Sequence, residues 1–306
     1  MRILLRLGPA AIVATTLLVA RAAAADSTGA MPTTIGNDPN APPVIDPTPP
    51  LGILPTATDA LVDPRMARSW GAAPSRWFLS TTADVGFVYI RPRLSAGYGK
   101  PFTKWFGIDL NPVASGTHLG AYGGLRLEIP FLDIRAGVRY FRAFNHTYLE
   151  PHDHYDRIQL ETDNTNVAQV ITYETEADSS VPIGPGNLVM RGSLSYITNV
   201  PDGKYVFEET LRIIANPPWV WRLRGGYVLR LGDYQQHSIG MVVDVLDVPN
   251  RDDSKTVRVG PILRWVLSRR VEVRGSFVLT VYSPDRIGLV GSDFTELGVR
   301  YRWATE

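Results

Sequence analysis

The sequence predicts an all-β chain: one up-and-down antiparallel transmembrane β-barrel of about twelve strands, preceded by a signal peptide and a Pro-rich disordered leader. Three observations lead there. Apolar and polar residues alternate with period two through most of residues 77–303, in runs of about ten, the length a tilted strand needs to cross a bilayer. Beyond the N-terminus no apolar run is long enough for a spanning helix, so entry into a membrane would be by strands. The connections also alternate between short turns and longer polar links, as in barrels that span an outer membrane.

The chain begins MRILLRLGPAAIVATTLLVARAAAADS, with Arg2 and Arg6, an apolar run over 7–20, and small residues at 22–25. That is the layout of a cleaved secretory signal, assigned to 1–25, with the cut just before Ala25 or Asp26. A short membrane anchor is the competing reading, but Arg21 and the alanines fit a cleavage region better. Residues 26–75 then gather Pro39, Pro42, Pro43, Pro47, Pro49, Pro50 and Pro55 among Thr, Asn and Asp. Few apolar residues and fixed φ angles imply an extended, disordered periplasmic leader, a spacer or a partner-binding tail.

The barrel is assigned to 76–306. Its strands are expected over 77–85 and 87–98, joined near Gly86, then 103–111, 119–129 and 131–144. After a polar insert come 170–181 and 188–198, and after a second insert 219–231, 236–248, 256–267, 271–282 and 294–303. The stretch LRLEIPFLDIRAGVRYF, residues 125–141, shows the logic. Leu125, Leu127 and Ile129 alternate with Arg126 and Glu128. Past a tight turn at Pro130, Ile134, Ala136, Val138 and Tyr140 alternate with Asp133, Arg135 and Arg139. A soluble sandwich would turn the apolar face to a core, whereas a membrane barrel turns it to lipid and the charges to its lumen.

Loop lengths decide between them. Pro101 with its neighbours, Pro130, PIGPG at 182–186, GDYQ at 232–235 and SRR at 268–270 are short. Between them NPVASGTH, 145–169, 199–218, PNRDDSK and SPDRIGLVGSD are longer. A Greek-key sandwich has no reason to sort loop length by parity. Aromatic residues at the ends of the apolar faces, Trp105, Phe106, Trp219, Trp221, Trp265, Tyr282, Tyr301 and Trp303, suit the headgroup level.

The last strand, TELGVRYRWATE, alternates Leu297, Val299, Tyr301 and Trp303 against Glu296, Arg300 and Arg302. It resembles the aromatic-ended closing strand of Gram-negative bacterial outer-membrane β-barrel proteins, and that resemblance of layout covers about residues 77–303. The chain runs three residues past the aromatic, to Ala304, Thr305 and Glu306, which departs from the terminal aromatic of that class. The resemblance implies residence in the cell outer membrane after export, contact with its lipids, and delivery by barrel insertion machinery.

The polar face is rich in arginine: Arg126, Arg135, Arg139, Arg191, Arg222, Arg224, Arg230, Arg258, Arg264, Arg274, Arg300 and Arg302. Opposite stand Asp109, Glu128, Asp133, Glu174, Glu176, Asp178, Asp244, Glu272 and Glu296. Arginines in a confined lumen favour small polar or acidic solutes, which points to a porin-like passive channel. The alternative is a structural or interaction barrel closed by Arg–carboxylate networks. In the second insert Phe207, Leu211 and Ile214 stand at helical spacing, as candidates for a lid or plug made of a short helix over or in the pore mouth, with an extra strand pair extending above the membrane as the alternative.

Composition narrows the remainder. With zero Cys there is no disulfide, thiolate metal site or lipidated Cys, and a net charge of +1 is not that of a nucleic-acid binder. NHTYLEPHDHYD holds His152 and His154, weak metal candidates that lack a ligand spacing such as H-E-x-x-H and belong more naturally to a solvated loop. His237 and Ser238 are adjacent, so on a strand they diverge and make no hydrolase pair. No enzyme and no cofactor is expected.

Overall fold

The computed structural model describes residues 74–86, 89–160, 167–232, 235–268, 270–294 and 297–305. The signal peptide and nearly all of the Pro-rich leader lie outside the described residues.

Strands form where the alternation predicts them: β1 (Arg76–Gly86), β2 (Tyr89–Lys100), β3 (Lys104–Ser115), β4 (His118–Ile129), β5 (Leu132–Thr147), β6 (Val167–Ile183) and β7 (Gly186–Thr198). A small hairpin follows, β8 (Val206–Glu208) and β9 (Ile213–Ala215), then β10 (Trp219–Leu231), β11 (His237–Asp247), β12 (Thr256–Val266), β13 (Val271–Ser276), β14 (Leu279–Tyr282) and β15 (Gly298–Ala304). Each stave runs antiparallel to its neighbours, and β15 closes on β1 from Ser80↔Ala304 to Gly86↔Gly298. The sheet has thirteen strands, of which β13 and β14 both pair with β12 and are two pieces of one stave, so the closed barrel has twelve staves.

The β4–β5 hairpin has two distinct faces. Register runs unbroken from His118↔Ala143 to Ile129↔Leu132, and with a period of two one whole set of side chains must point inward. Arg126, Glu128 and Asp133 are buried, while Leu125, Leu127, Val138 and Tyr140 stand exposed on the outside. The same inversion runs round the wall, with Ile90, Leu94, Leu110, Leu223, Met241 and Val243 outside, and Arg264 and Glu272 within. Such a continuous apolar belt would be an aggregation surface in water, and its exposure is stable only against hydrocarbon. This is the architecture of an outer-membrane β-barrel.

Two expectations need correction. Trp105 is not at the headgroup level: it is 4% exposed, its Nε1 donates to Glu128 Oε2 at 2.8 Å, and its ring meets Phe78 edge-on at 5.2 Å. The physical reason is parity, since Trp105 shares its face with Asp109 while Phe106, Ile108 and Leu110 point out. Gly97 makes room for it, because a Cβ there would meet the Trp105 ring at 2.8 Å. Phe106, Trp219, Trp265, Tyr282 and Tyr301 do stand exposed on the outer face.

NPVASGTH is not a long loop either. The pairing continues through Asn111↔Tyr122, Pro112↔Ala121, Val113↔Gly120 and Ala114↔Leu119, leaving only residues 116–117 as the turn. One rim therefore carries only short turns. The other is low between β3 and β4, and carries the longer links that include residues 148–160, 199–218, 248–255 and 283–294, the first containing the four-residue helix α1 (Arg157–Leu160).

Candidate functional site

Strand parity delivers arginines and carboxylates into one confined space, where each charge needs a partner. Arg126 donates twice to Asp133 at 2.9 Å and reaches Glu128 at 3.1 Å and Asp109 at 3.4 Å. Arg135 is paired with Glu176, and Asp178 serves both Arg191 and, at 3.5 Å, Arg135. Arg139 holds Glu174 at 2.7 Å and the Thr210 hydroxyl. Arg222 and Arg224 share Asp244 and Asp293. Arg264 and Arg302 bind Glu272 Oε2 at 2.7 and 3.1 Å, with Arg274 at 3.6 Å from Oε1 and Arg300 at 3.9 Å. Arg300 also grips Asp84 at 2.5 and 2.8 Å. Arg230 lies apart, at the short-turn rim, donating to the Gly184 carbonyl at 2.7 Å.

The second insert forms neither a helix nor an extension above the membrane. It is the β8–β9 hairpin, folded down into the lumen, with Phe207 opposite Ile214. Helical spacing misled because the turn between the strands advances the chain by the residues a helix would have used. Val206, Leu211, Ile213 and Ala215 pack on inward residues Phe141, Val170, Ile197, Val220 and Leu246 of β5, β6, β7, β10 and β11. Phe207 and Ile214 pack beneath Leu149, Tyr155, Leu160 and Ile287 of the overlying loops.

Polar contacts lock the hairpin's turn. Arg258, fully buried, donates to the Leu211 and Arg212 carbonyls at 2.7 and 3.0 Å, so it acts as an anchor for the hairpin and does not face open space. Glu208 accepts the Leu211 amide at 2.5 Å. The Glu209 carboxylate, its side chain wholly buried, lies 2.6 Å from His146 Nδ1 and 3.5 Å from His118 Nδ1, and accepts from the Thr117 hydroxyl at 3.3 Å. Burial alone would push Glu209 above its ordinary 4.5, but hydrogen bonds and charge from the two histidines outweigh it and hold the group at about 2.

The hairpin fills only one side of the lumen. Toward the short-turn rim that side is closed by Val189, Val228, Val242, Ile262 and Val278. Beside the hairpin a cleft of about 100 Å³ runs past Arg93, Tyr122, Arg135, Glu176 and Ser195 to Leu211 of that hairpin. It shares Arg91, Asn111, Tyr122, Arg139 and Thr210 with a second space of about 70 Å³ that includes Tyr89, Ser115, His118 and Glu209.

No family model and no curated protein matches the chain. Among solved structures it is similar to the NanC porin, at 9% identity over 75% of this chain and 98% of that one, with a TM-score of 0.34. It is also similar to OmpT of Vibrio cholerae in a form lacking loop L8, at 8% identity over 75% and 99% of the two chains and a TM-score of 0.33. A third is CdiB from Acinetobacter baumannii, at 9% identity over 69% of this chain and 40% of that one, with a TM-score of 0.32.

Several residues of the site escaped the sequence reading. Arg91 and Arg93 alternate with Ile90, Pro92 and Leu94, so the period of two was there to find them. No spacing announces Glu209 with His118 and His146, which meet only because the hairpin folds inward. His152 and His154 are exposed on the 148–166 link, and among the described residues no group of three His, Asp or Glu could hold a metal. His237 stacks on Trp265 at 4.0 Å.

Proposed function

We propose that this outer-membrane barrel is a passive channel for small polar or anionic solutes, restricted by the docked β8–β9 hairpin. The observation that carries the reading is the arginine-lined cleft left beside the hairpin, contiguous with the space at the low rim. Arginines around a narrow water-filled path raise the local anion concentration, and the carboxylates that pin most of them fix where that charge stands. The pinned residues Arg135, Arg139, Arg191, Arg222 and Arg300 border the cleft; Arg126, Arg224, Arg264 and Arg274 brace the wall behind it. The reading includes export by a cleaved signal peptide, insertion by the barrel machinery, and no catalytic step.

A second reading has its own support. The apolar plug of Val189, Val228, Val242, Ile262 and Val278 and the dense ion pairing are what a closed structural barrel needs. Single-channel conductance of the refolded protein in planar bilayers, under a salt gradient, separates the two. Steady anion-selective conductance is expected. Silence from protein whose heat-modifiable migration proves it folded would overturn the channel and leave the structural barrel.

A further inference from the structure

Arg93 differs from every other arginine bordering the cleft. Arg91, Arg135, Arg139, Arg191, Arg222 and Arg300 are each tied to a carboxylate. Arg93 is 8% exposed and lines the cleft, yet among the described residues its guanidinium has no ion pair and no hydrogen bond. Asp109 opposes its charge only from beyond ion-pair distance, and a buried guanidinium that no carboxylate contacts is costly, so a protein keeps one where something else can contact it.

Two more side chains point the same way. On β3, between the pairs Ile90↔Ala114 and Leu94↔Leu110, Asn111 comes beside Arg93, and its Oδ1 is buried without a partner. Tyr122, paired with Asn111 across β3 and β4, has its hydroxyl buried without a partner as well. Both line the same cleft. Tyr122 is held in place because its ring and hydroxyl lie over Gly124 and Gly137, where a Cβ would come within 2.3 and 2.8 Å of it. A planar five-donor fork and a phenol donor in one wall of the cleft are complementary to an oxyanion, while the Asn111 oxygen is an acceptor and can meet only a protonated oxygen of such a ligand, as in hydrogen phosphate.

We infer that Arg93, Tyr122 and Asn111 form a stationary binding site for a small oxyanion, a carboxylate or a phosphate, within the cleft. The inference deepens the channel reading by giving its solute a resting place, and it rests on that reading for the route of entry. Arg93 supplies charge and a two-point fork, Tyr122 a third donor, and the Arg135–Glu176 and Arg139–Glu174 pairs border the same space.

The test is calorimetric titration of the refolded full-length protein in detergent micelles with inorganic phosphate and, separately, with malonate, run beside the bilayer recordings. Saturable binding of at least one anion is expected, weakened about tenfold or more in Arg93→Gln and less in Tyr122→Phe. The anion that binds more tightly tells which source the site serves. Binding of neither, or binding unchanged in Arg93→Gln, overturns the site even where the channel conducts. Arg93-dependent binding in a barrel that does not conduct upholds the site and overturns the channel. Should Arg93→Gln fail the heat-modifiability check for folding, Arg93→Lys, which keeps the charge and loses the fork, must bind more weakly than the native protein, and equal binding there also overturns the inference.

Discussion

The two sides of the lumen are built from the same alternating strands and end in opposite states. On the side of β1 to β4 the inward positions include Ser80, Thr82, Ser95, Gly97, Gly107, Asn111 and Gly124, the rim is low, and Arg91, Arg93, Asn111 and Tyr122 face a cleft that also borders β5, β6, β7 and β10. From β5 round to β12 inward Phe141, Val170, Ile197, Val220 and Leu246 form an apolar seat, the links are long, and a hairpin occupies the seat. Period two decides which side chains enter a barrel, but only their size and polarity decide whether anything docks on them. An inward apolar patch in a polar lumen is unstable against water until something covers it, and the nearest long link is what covers it.

The largest expected effect comes from making the filled side like the open one. Removing residues 203–216 and bridging the gap with a Gly-Ser linker should raise bilayer conductance severalfold while the barrel still migrates as folded. Unchanged conductance would mean the hairpin does not restrict the path. Next, Phe207→Ala, emptying the contact under Leu149 and Tyr155, should loosen the hairpin by about 3–5 kcal/mol, read as lost amide protection over β8 and β9.

The pH response sharpens the contrast further. Glu209 is depressed in the folded state, so its contribution is fully present above its ordinary 4.5 and is lost as pH falls through about 2. Hairpin protection should decline across that window while β1 to β4 keep theirs, and in Glu209→Gln the decline should be absent. On the open side, Trp105→Phe removes the donor to Glu128, which retains Arg126, so a loss of only about 1 kcal/mol in urea unfolding is expected. Smallest of all, His152→Ala with His154→Ala should shift stability by less than about 0.5 kcal/mol and leave conductance alone.

Much of the wall was legible. Twelve strands, their order, the short-turn rim and the inward arginines follow from alternation and turn residues, because a barrel's hydrogen bonds run only between sequence neighbours and its closing pair. Trp105 was misread by treating nearness to an apolar residue as membership of its face, and NPVASGTH by treating Pro and Gly as a loop where β3 and β4 still pair. The site was less legible. Arg93 was within reach of the pattern, but that it alone among the cleft arginines contacts no carboxylate depends on where six other arginines find theirs.

By itself, then, the sequence determined the barrel, its lipid-facing belt and which charged residues enter its lumen, since these are local properties of strands repeated along the chain. Tertiary structure decided the rest: that the second insert turns inward, that Glu209 meets His118 and His146, and that Arg93, Asn111 and Tyr122 share an unfilled cleft. Those are contacts across the lumen, between residues far apart in sequence, and a two-residue period carries no information about what stands on the opposite wall.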